Sequence, residues 1–233
     1  LWKLHQVPFF SEYFKTIIFD NRDVGRSSKA TKSYTITDMA DDVAGLMNGL
    51  GIVRAHMLGL SMGAMIAQEF AINYPEKLEK LVLTGTGASN ARAKFDPISI
   101  WSYIKTQDTS GLVFAAQQFI WLFSESFNRN HEAVDQTLQM LAGNPNPVSP
   151  ESYHRQAEAY VKHDTLDRLN QVSAPTIVIA GEQDRLTPPW ICKEVADAIP
   201  NAKYKLISGE GSSHVLPLER PDDFNQAVLS FLQ

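Results

Sequence analysis

The chain has 233 residues, of which 44% are hydrophobic and 20% are charged, a balance typical of a folded globular protein and not of a disordered segment. The formal net charge of -5 disfavours nucleic acid as a partner, because phosphate binding needs a basic surface. No apolar run approaches the roughly 18 residues that indicate a membrane span, so we expect none.

Cys192 is the only cysteine of the chain. It cannot form an internal disulfide, and no group of cysteines and histidines has the spacing of a zinc site. This composition is compatible with a reducing compartment, and the expected location is cytoplasmic. The sequence does not indicate an oligomeric state.

The first part of the chain alternates strand-like and helix-like segments. Residues 15–20 (KTIIFD) form a short apolar run before a polar turn and predict a buried strand. Apolar residues at helical spacing over 39–50 predict an amphipathic helix that ends at glycines. Residues 55–60 (AHMLGL) predict a second strand, 62–73 a helix, and 78–85 a third strand.

The same alternation returns after residue 170. Residues 176–181 (TIVIAG) and 203–207 (KYKLI) predict two further strands. Thr187, which two prolines follow, predicts a helix N-cap, and a last helix begins at Pro221. Alternating strands and helices predict an α/β fold, with a mostly parallel central sheet covered by helices on both faces.

The segment 88–169 interrupts this alternation. It has helical patterns, many aromatic residues and no convincing strand. We therefore interpret it as a helical cap inserted into a core that comprises residues 1–87 and 170–233.

Gly59-Leu60-Ser61-Met62-Gly63 matches the G-x-S-x-G pattern of a nucleophile elbow. In an elbow the serine sits on a tight turn between a strand and a helix, and its neighbours must be small because backbone and helix crowd there. A predicted strand precedes the motif and a predicted helix follows it. Ser61 is therefore the candidate nucleophile, and the Met62 backbone N–H is a candidate oxyanion donor. An ordinary serine in a glycine-rich turn is the alternative.

A serine nucleophile needs a general base and a carboxylate that orients the base. His214 lies in a glycine-rich loop after the last predicted strand, where active sites of α/β sheets form. Asp184 follows the strand 176–181 and is the candidate acid; Glu182 is its competitor, and a plain turn aspartate is the alternative.

The other histidines lie in helical, terminal or strand segments, where surface, cap or packing roles are expected. They are His5, His56, His131, His154 and His163.

Four motifs in this order resemble the α/β-hydrolase superfamily, in particular its esterases, 3-oxoadipate enol-lactonases and cofactor-free perhydrolases. They are residues 20–27 (DNRDVGRS), the elbow 59–63, the acid loop 181–188 (GEQDRLTP) and the histidine loop 211–221. The chain order serine, aspartate, histidine is also that of the superfamily. The resemblance implies a catalytic triad of Ser61, Asp184 and His214, with no metal or organic cofactor.

The resemblance also implies that apolar and aromatic residues beside the triad and in the cap line an acyl or ring pocket. Packing inside the cap is the alternative for the aromatic ones. The candidate substrate-binding residues are Leu60, Trp101, Phe119, Trp121, Phe123 and Val215.

The beginning of the chain departs from the family's pattern. Family members carry further strands before the segment 15–20, and a His-Gly loop whose following backbone supplies the second oxyanion donor. One of those strands lies between the segments 15–20 and 55–60, and without it two buried strands would have unpaired backbone groups. We therefore expect a further N-terminal segment, upstream of Leu1, to supply that strand and the second oxyanion donor.

The leading expectation for function is hydrolysis of a small carboxylic ester or lactone through an acyl-enzyme. The same triad would also serve C–C bond hydrolysis, perhydrolysis or acyl transfer, and the elbow does not separate these reactions. A non-enzymatic small-molecule receptor on this fold is a further alternative. Haloalkane dehalogenation is disfavoured, because the dehalogenases that resemble this fold use a carboxylate as nucleophile. This chain has Ser61 at the corresponding position.

Overall fold

The computed structural model describes residues 2–89, 96–108 and 111–233. Its helices and strands are, in chain order, α1 (Gln6–Phe10), α2 (Ile36–Gly49), β1 (Ala55–Leu60), α3 (Met62–Asn73), β2 (Leu78–Thr84), α4 (Pro97–Gln107), α5 (Leu112–Leu122), α6 (Glu125–Arg129), α7 (His131–Ala142), α8 (Pro150–Val161), β3 (Thr176–Gly181), α9 (Pro189–Ala198), β4 (Lys203–Ile207), α10 (Leu216–Glu219) and α11 (Pro221–Leu232). Short 3₁₀ helices cover Pro75–Lys77 and Leu166–Gln171. In the described residues, no helix has both the length and the apolar character needed to cross a bilayer.

The four strands form one sheet in the order β1-β2-β3-β4, and every neighbouring pair is parallel. Parallel neighbours need a crossover connection, which helices provide here. The register aligns Leu60 with Thr84 and Gly181 with Ile207. The carboxyl ends of the strands therefore share one edge of the sheet, and this α/β architecture confirms the predicted fold class.

Alternate residues of the strands pack against helices on opposite faces of the sheet. On one face Leu81, Leu83 and Val178 belong to a core that α2, α3 and α9 complete. On the other face Val82 and Ile177 pack with residues of α1 and α11. Because both faces are covered, the central strands read as continuous apolar runs, and this is why the sequence predicts them.

Every element of regular secondary structure that the structure describes between residues 88 and 169 is a helix. Helix α4 packs against both α5 and α8. One antiparallel bridge, between Ser89 and Asp164, joins the two ends of this segment. The helical character matches the sequence pattern, and the division of the chain into core and cap stays a prediction.

The predicted strand at residues 15–20 is wrong, because this segment pairs with no strand of the sheet. A strand needs a backbone partner, and the outer edge of β1 lies across a cavity of about 870 Å³. Residues 15–19 line that cavity on one side and residues 54–60 on the other. Ile17, Ile18 and Phe19 are accordingly between 40% and 47% exposed.

The predicted N-cap role of Thr187 is also wrong. Helix α9 begins at Pro189 with Pro188 as its N-cap, and no side chain caps it. The Thr187 hydroxyl instead donates to Asp184 Oδ2 at 2.7 Å. The Asp184 carboxylate is a charged acceptor, and a hydrogen bond to it is stronger than one to a neutral group.

Candidate active site

Ser61 lies on the turn between β1 and α3. Its backbone adopts φ +55° and ψ -124°, a conformation that costs a residue with a Cβ free energy. Two backbone hydrogen bonds hold the turn: the Ser61 N–H donates to Thr84 O at 3.0 Å, and the Ala64 N–H donates to Ser61 O at 2.9 Å. The turn leaves the side chain half-buried against the cavity, which is the geometry that a nucleophile elbow requires.

The glycines on either side of Ser61 are not equivalent. A Cβ on Gly59 would lie 2.6 Å from Ala64 Cα, whereas a Cβ on Gly63 would meet nothing within 4 Å. Crowding therefore requires a small residue at Gly59, as expected, but not at Gly63, where the expectation is wrong.

Asp184 and His214 form a buried hydrogen-bonded pair at the carboxyl edge of the sheet. Asp184 follows β3, His214 follows β4, and they are 4% and 3% exposed. His214 Nδ1 lies 2.9 Å from Asp184 Oδ2, so the ring donates through Nδ1 and leaves Nε2 as a proton acceptor. Asp184 Oδ1 accepts the backbone N–H groups of Leu186 and Thr187 at 2.9 and 2.8 Å, which fix the carboxylate.

Two glycines allow the histidine loop to approach the sheet. Gly85, directly after β2, has φ +54°, and a Cβ there would lie 3.1 Å from His214 Cε1 and 3.1 Å from Leu60 Cδ1. A Cβ on Gly181 would lie 2.8 Å from the carbonyl carbon of Ser212. The His214 ring can therefore take this position because Gly85 and Gly181 have no Cβ.

Ser61 and His214 line the same cavity. The His214 ring bonds to Asp184 and contacts Thr187 Oγ1 at 3.2 Å, and no direct hydrogen bond links the ring to Ser61 in the described residues. Met62 is the first residue of α3. Its N–H therefore belongs to the unpaired donors of the helix N-terminus, where the helix dipole favours negative charge.

Glu182, the competing carboxylate, and the histidine His163 form hydrogen bonds outside the candidate triad. The exposed Glu182 accepts the Gly209 N–H at 2.8 Å and makes no bond to His214. His163 is buried, contrary to the surface or cap role expected for it, and its Nε2 lies 3.3 Å from Thr165 Oγ1. Burial lowers the pKa of His163 to about 4.

The cavity wall includes three of the residues expected to bind substrate, namely Leu60, Trp101 and Val215. It further includes apolar residues next to the triad and in the helices of segment 88–169 that sequence reasoning missed. These are Ile98, Leu122 and Leu186, and also the side chain of Met62, for which the sequence indicated only a backbone role. No periodic signal in the sequence distinguishes them from ordinary core residues.

The wall does not include Phe119, Trp121 or Phe123. Phe119 and Phe123 stack with their ring centroids 4.9 Å apart, and both rings pack near Phe127. Together with Val215 they form a small apolar core between α5, α6 and the histidine loop. Phe119 and Phe123 therefore pack among these helices, which was the alternative role for the aromatic residues.

Glu219 is a further residue that the sequence did not indicate. Its carboxylate accepts hydrogen bonds from the Ser213 hydroxyl and from both the N–H and the hydroxyl of Ser124. Ser213 precedes His214, and Ser124 is the N-cap of α6. Glu219 therefore ties the histidine loop to the α5–α6 turn, a contact across 95 residues that no local pattern announces.

The described residues offer neither a grouped set of metal ligands nor an activated thiol. In the part of the chain that the structure describes, no three or more His, Cys, Asp or Glu side chains are grouped as metal ligands. Burial raises the pKa of the Cys192 thiol to about 12, so this sulfur stays protonated at neutral pH and is not activated.

The edge at which Ser61, Asp184 and His214 meet is where parallel α/β sheets place their ligands. Residues 2–221 match the family model described as the alpha/beta hydrolase fold. The chain belongs to this family.

Among its relatives is the "Putative non-heme bromoperoxidase BpoC" of Mycobacterium tuberculosis, 32% identical over 99% of this chain and 87% of the relative. The 3-oxoadipate enol-lactonase 2 of Acinetobacter baylyi is 28% identical over 98% of this chain and 82% of the relative. The solved structure of a thermophilic esterase from Thermogutta terrifontis has a TM-score of 0.84 and 30% identity, and covers 99% of this chain and 84% of its own. Hydrolases among the relatives support hydrolase activity for this chain.

Proposed function

We propose that the chain hydrolyses small carboxylic esters or lactones through an acyl-enzyme on Ser61. The observation that carries this proposal is the buried His214–Asp184 pair, 2.9 Å between Nδ1 and Oδ2, which lines one cavity with a serine on a strained strand–helix turn. The names of the enol-lactonase and esterase relatives support the same substrate classes. The helices within 88–169 act as the cap over this site.

The reaction follows from the roles of three side chains. Ser61 Oγ attacks the substrate carbonyl carbon while His214 Nε2 takes the hydroxyl proton, and Asp184 stabilises the imidazolium that results. The carbonyl oxygen becomes an oxyanion, to which the Met62 N–H donates. Collapse expels the alcohol, which receives the proton from His214, and leaves an acyl ester on Ser61.

Water completes the cycle by the reverse sequence. His214 removes a proton from a water molecule, which attacks the acyl carbon, and Ser61 leaves with that proton. For a lactone the leaving alcohol stays attached to the acyl chain, so a single hydroxy acid is the product. None of these steps requires a metal or an organic cofactor.

A series of p-nitrophenyl esters of increasing acyl length tests the proposal, with kcat/KM measured from p-nitrophenolate release. We expect turnover that Ser61→Ala lowers by at least about 10⁴-fold. Ser230→Ala removes an exposed hydroxyl on α11 and should leave kcat/KM unchanged. Turnover that survives Ser61→Ala would show that another group is the nucleophile.

Perhydrolysis is a second candidate, which the name of the bromoperoxidase relative favours. Here hydrogen peroxide replaces water as the acceptor of the acyl group, and the product is a peracid. Peracid formation from acetate and peroxide, measured against ester hydrolysis in the same preparation, separates the two reactions. The C–C bond hydrolase and acyltransferase readings share the triad, and no observation favours them.

A non-enzymatic receptor is the alternative of a different class. It predicts tight binding of a small molecule without product release, even though the His214–Asp184 pair is intact. An absence of turnover across the ester series together with saturable ligand binding would favour that class.

A further inference from the structure

Among the described residues, the charged side chains in the wall of the 870 Å³ cavity lie at the end remote from Ser61. They are Lys15, Arg54 and Glu79. Arg54 donates to Leu78 O at 3.1 Å, beside the start of β1. Seven residues of extended chain, at about 3.3 Å per residue, place it roughly 20 Å from Ser61.

The other two charged residues, Glu79 and Lys15, lie near His56 and therefore at the same end of the cavity. Glu79 lies 3.4 Å from the His56 ring. Lys15 follows Phe14, whose ring meets the His56 ring edge-on with centroids 5.7 Å apart. His56 is the second residue of β1, so neither charge lies near the nucleophile.

The Ser61 end of the cavity is apolar. In the described residues its wall, apart from the serine and His214, consists of uncharged side chains on the elbow, the acid loop, the histidine loop, α4 and α5. The large ones are Leu60, Met62, Ile98, Trp101, Leu122, Leu186 and Val215. Trp101 is only 2% exposed, so this wall is a packed surface and not a mobile fringe.

Such a wall discriminates by charge. A carboxylate on the acyl part of a substrate would lose its hydration there, and no cation in the described wall would compensate it. The Asp184 carboxylate behind His214 adds repulsion. An uncharged hydrocarbon chain gains from the same burial.

We propose that the acyl side of the site takes an uncharged, apolar acyl group and rejects esters and lactones that carry a free carboxylate. This inference rests on the proposed serine hydrolase function and names its substrate class. Lys15 and Arg54 cannot rescue a charged short acyl chain, because they lie beyond its reach.

Matched esters of one chain length test this selectivity. We compare p-nitrophenyl hexanoate with the mono-p-nitrophenyl ester of adipic acid, which has the same number of chain carbons and ends in a carboxylate. The methyl ester of that second compound caps the charge at similar size. We expect kcat/KM for the free carboxylate to be at least about 100-fold below that for hexanoate, and capping to restore most of the loss. Equal values for the charged and capped compounds would overturn the proposal.

Binding to Ser61→Ala gives a second measurement that needs no turnover. Titration of methyl hexanoate and of monomethyl adipate, followed by Trp101 fluorescence or calorimetry, should give a Kd for the anion at least about 10-fold weaker. Equal affinities would overturn the selectivity even if wild-type protein hydrolyses neither ester. Failure of hydrolysis alone, with the expected difference in affinity, would instead count against the proposed function.

A cation introduced into the wall provides the converse test. Leu122→Lys should raise kcat/KM for the adipate ester at least about 10-fold relative to hexanoate. Leu141→Lys, which replaces an exposed residue of α7 outside the wall, should leave that ratio unchanged. A folded Leu122→Lys variant with the wild-type ratio would contradict the assignment of this wall to the acyl group.

Discussion

The position of the His214 imidazole depends on Gly85 as well as on Gly181. Gly85 combines a left-handed backbone, φ +54°, with a position at which a Cβ would press on the ring at 3.1 Å. Gly51 offers a matched comparison, because its φ is +67° and a Cβ there would meet nothing within 4 Å. The two positions therefore separate backbone strain from displacement of the base.

Gly85→Ala and Gly51→Ala should both lower the free energy of unfolding by about 1 kcal/mol, because each places a Cβ in the left-handed region. Only Gly85→Ala should also reduce kcat/KM, by about 10-fold or more, since it displaces the general base. Urea denaturation and ester kinetics on both variants check this. Equal kcat/KM in the two variants would show that Gly85 does not position His214.

Local signals in the sequence indicated Ser61, Asp184 and His214, because each follows a strand and lies in a short loop with recognisable residues. The turn after Asp184 also carried a signal, because aspartate side chains commonly accept the backbone N–H two residues on, as Asp184 does from Leu186. Glu219 carried none, since its partner Ser124 is distant in the chain.

At the scale of elements, the loop after residues 15–20 holds helix α8. Asp23 is fully buried with φ +69°, and its carboxylate accepts two hydrogen bonds from Arg155 at 2.8 Å and one from Ser152 Oγ at 3.0 Å. Burial alone would raise the pKa of Asp23, but these bonds and the Ala30 N–H hold it well below its usual range. This pair fixes α8, which packs against the α4 helix that carries Trp101.

Asp23→Ala should lower the free energy of unfolding by about 3 kcal/mol, because it leaves Arg155 and Ser152 without their acceptor in a buried setting. Glu125→Ala removes an exposed pair with Arg129 and should change it by less than about 1 kcal/mol. Chemical denaturation of both variants measures the difference. Similar small losses in both would mean that the Asp23 contact does not hold the helix.

Glu219 couples two other elements, the histidine loop and the α5–α6 turn. Glu219→Ala should lower kcat about 10-fold with little change in KM, because the loop that holds His214 loses its anchor at Ser213. Glu219→Gln keeps an acceptor oxygen and should recover most of kcat. A loss of thermal stability with kcat unchanged would reduce Glu219 to a packing role.

Strands β1 to β4 could be predicted because each is a short apolar run between turn residues, and the structure confirms all four. The segment 15–20 has the same local pattern and forms no strand. A local apolar pattern indicates that a segment tends to be extended. Whether that segment forms a strand depends on whether another strand's backbone lies beside it.

At the scale of the whole molecule, a buried histidine makes folding depend on pH. His163 lies 4.0 Å from Glu69 at Nδ1, and this nitrogen has no hydrogen-bond partner in the described residues. Burial lowers the pKa of His163 to about 4, against the opposing effect of Glu69. The unfolded chain therefore binds a proton below pH 6.5 that the folded chain excludes down to about pH 4.

The stability that depends on neutral His163 is complete above about pH 6.5 and declines as the pH falls toward 4, by up to about 1.4 kcal/mol per pH unit. His163→Leu should remove about 2 kcal/mol of the difference in unfolding free energy between pH 7.5 and pH 5. Leu169→Ala, a non-titrating change in the buried core, should lower stability equally at both values. An unaltered pH dependence in His163→Leu would refute this assignment.

The most direct test of the account is to identify the residue that forms the covalent intermediate. Treatment with diethyl p-nitrophenyl phosphate displaces p-nitrophenolate and leaves a stable diethylphosphoryl group on an activated serine; peptide mass mapping then locates it. The account predicts one adduct per chain, on Ser61, formed far more slowly in His214→Gln and absent in Ser61→Ala. An adduct on another residue, or labelling that persists in Ser61→Ala, would contradict it.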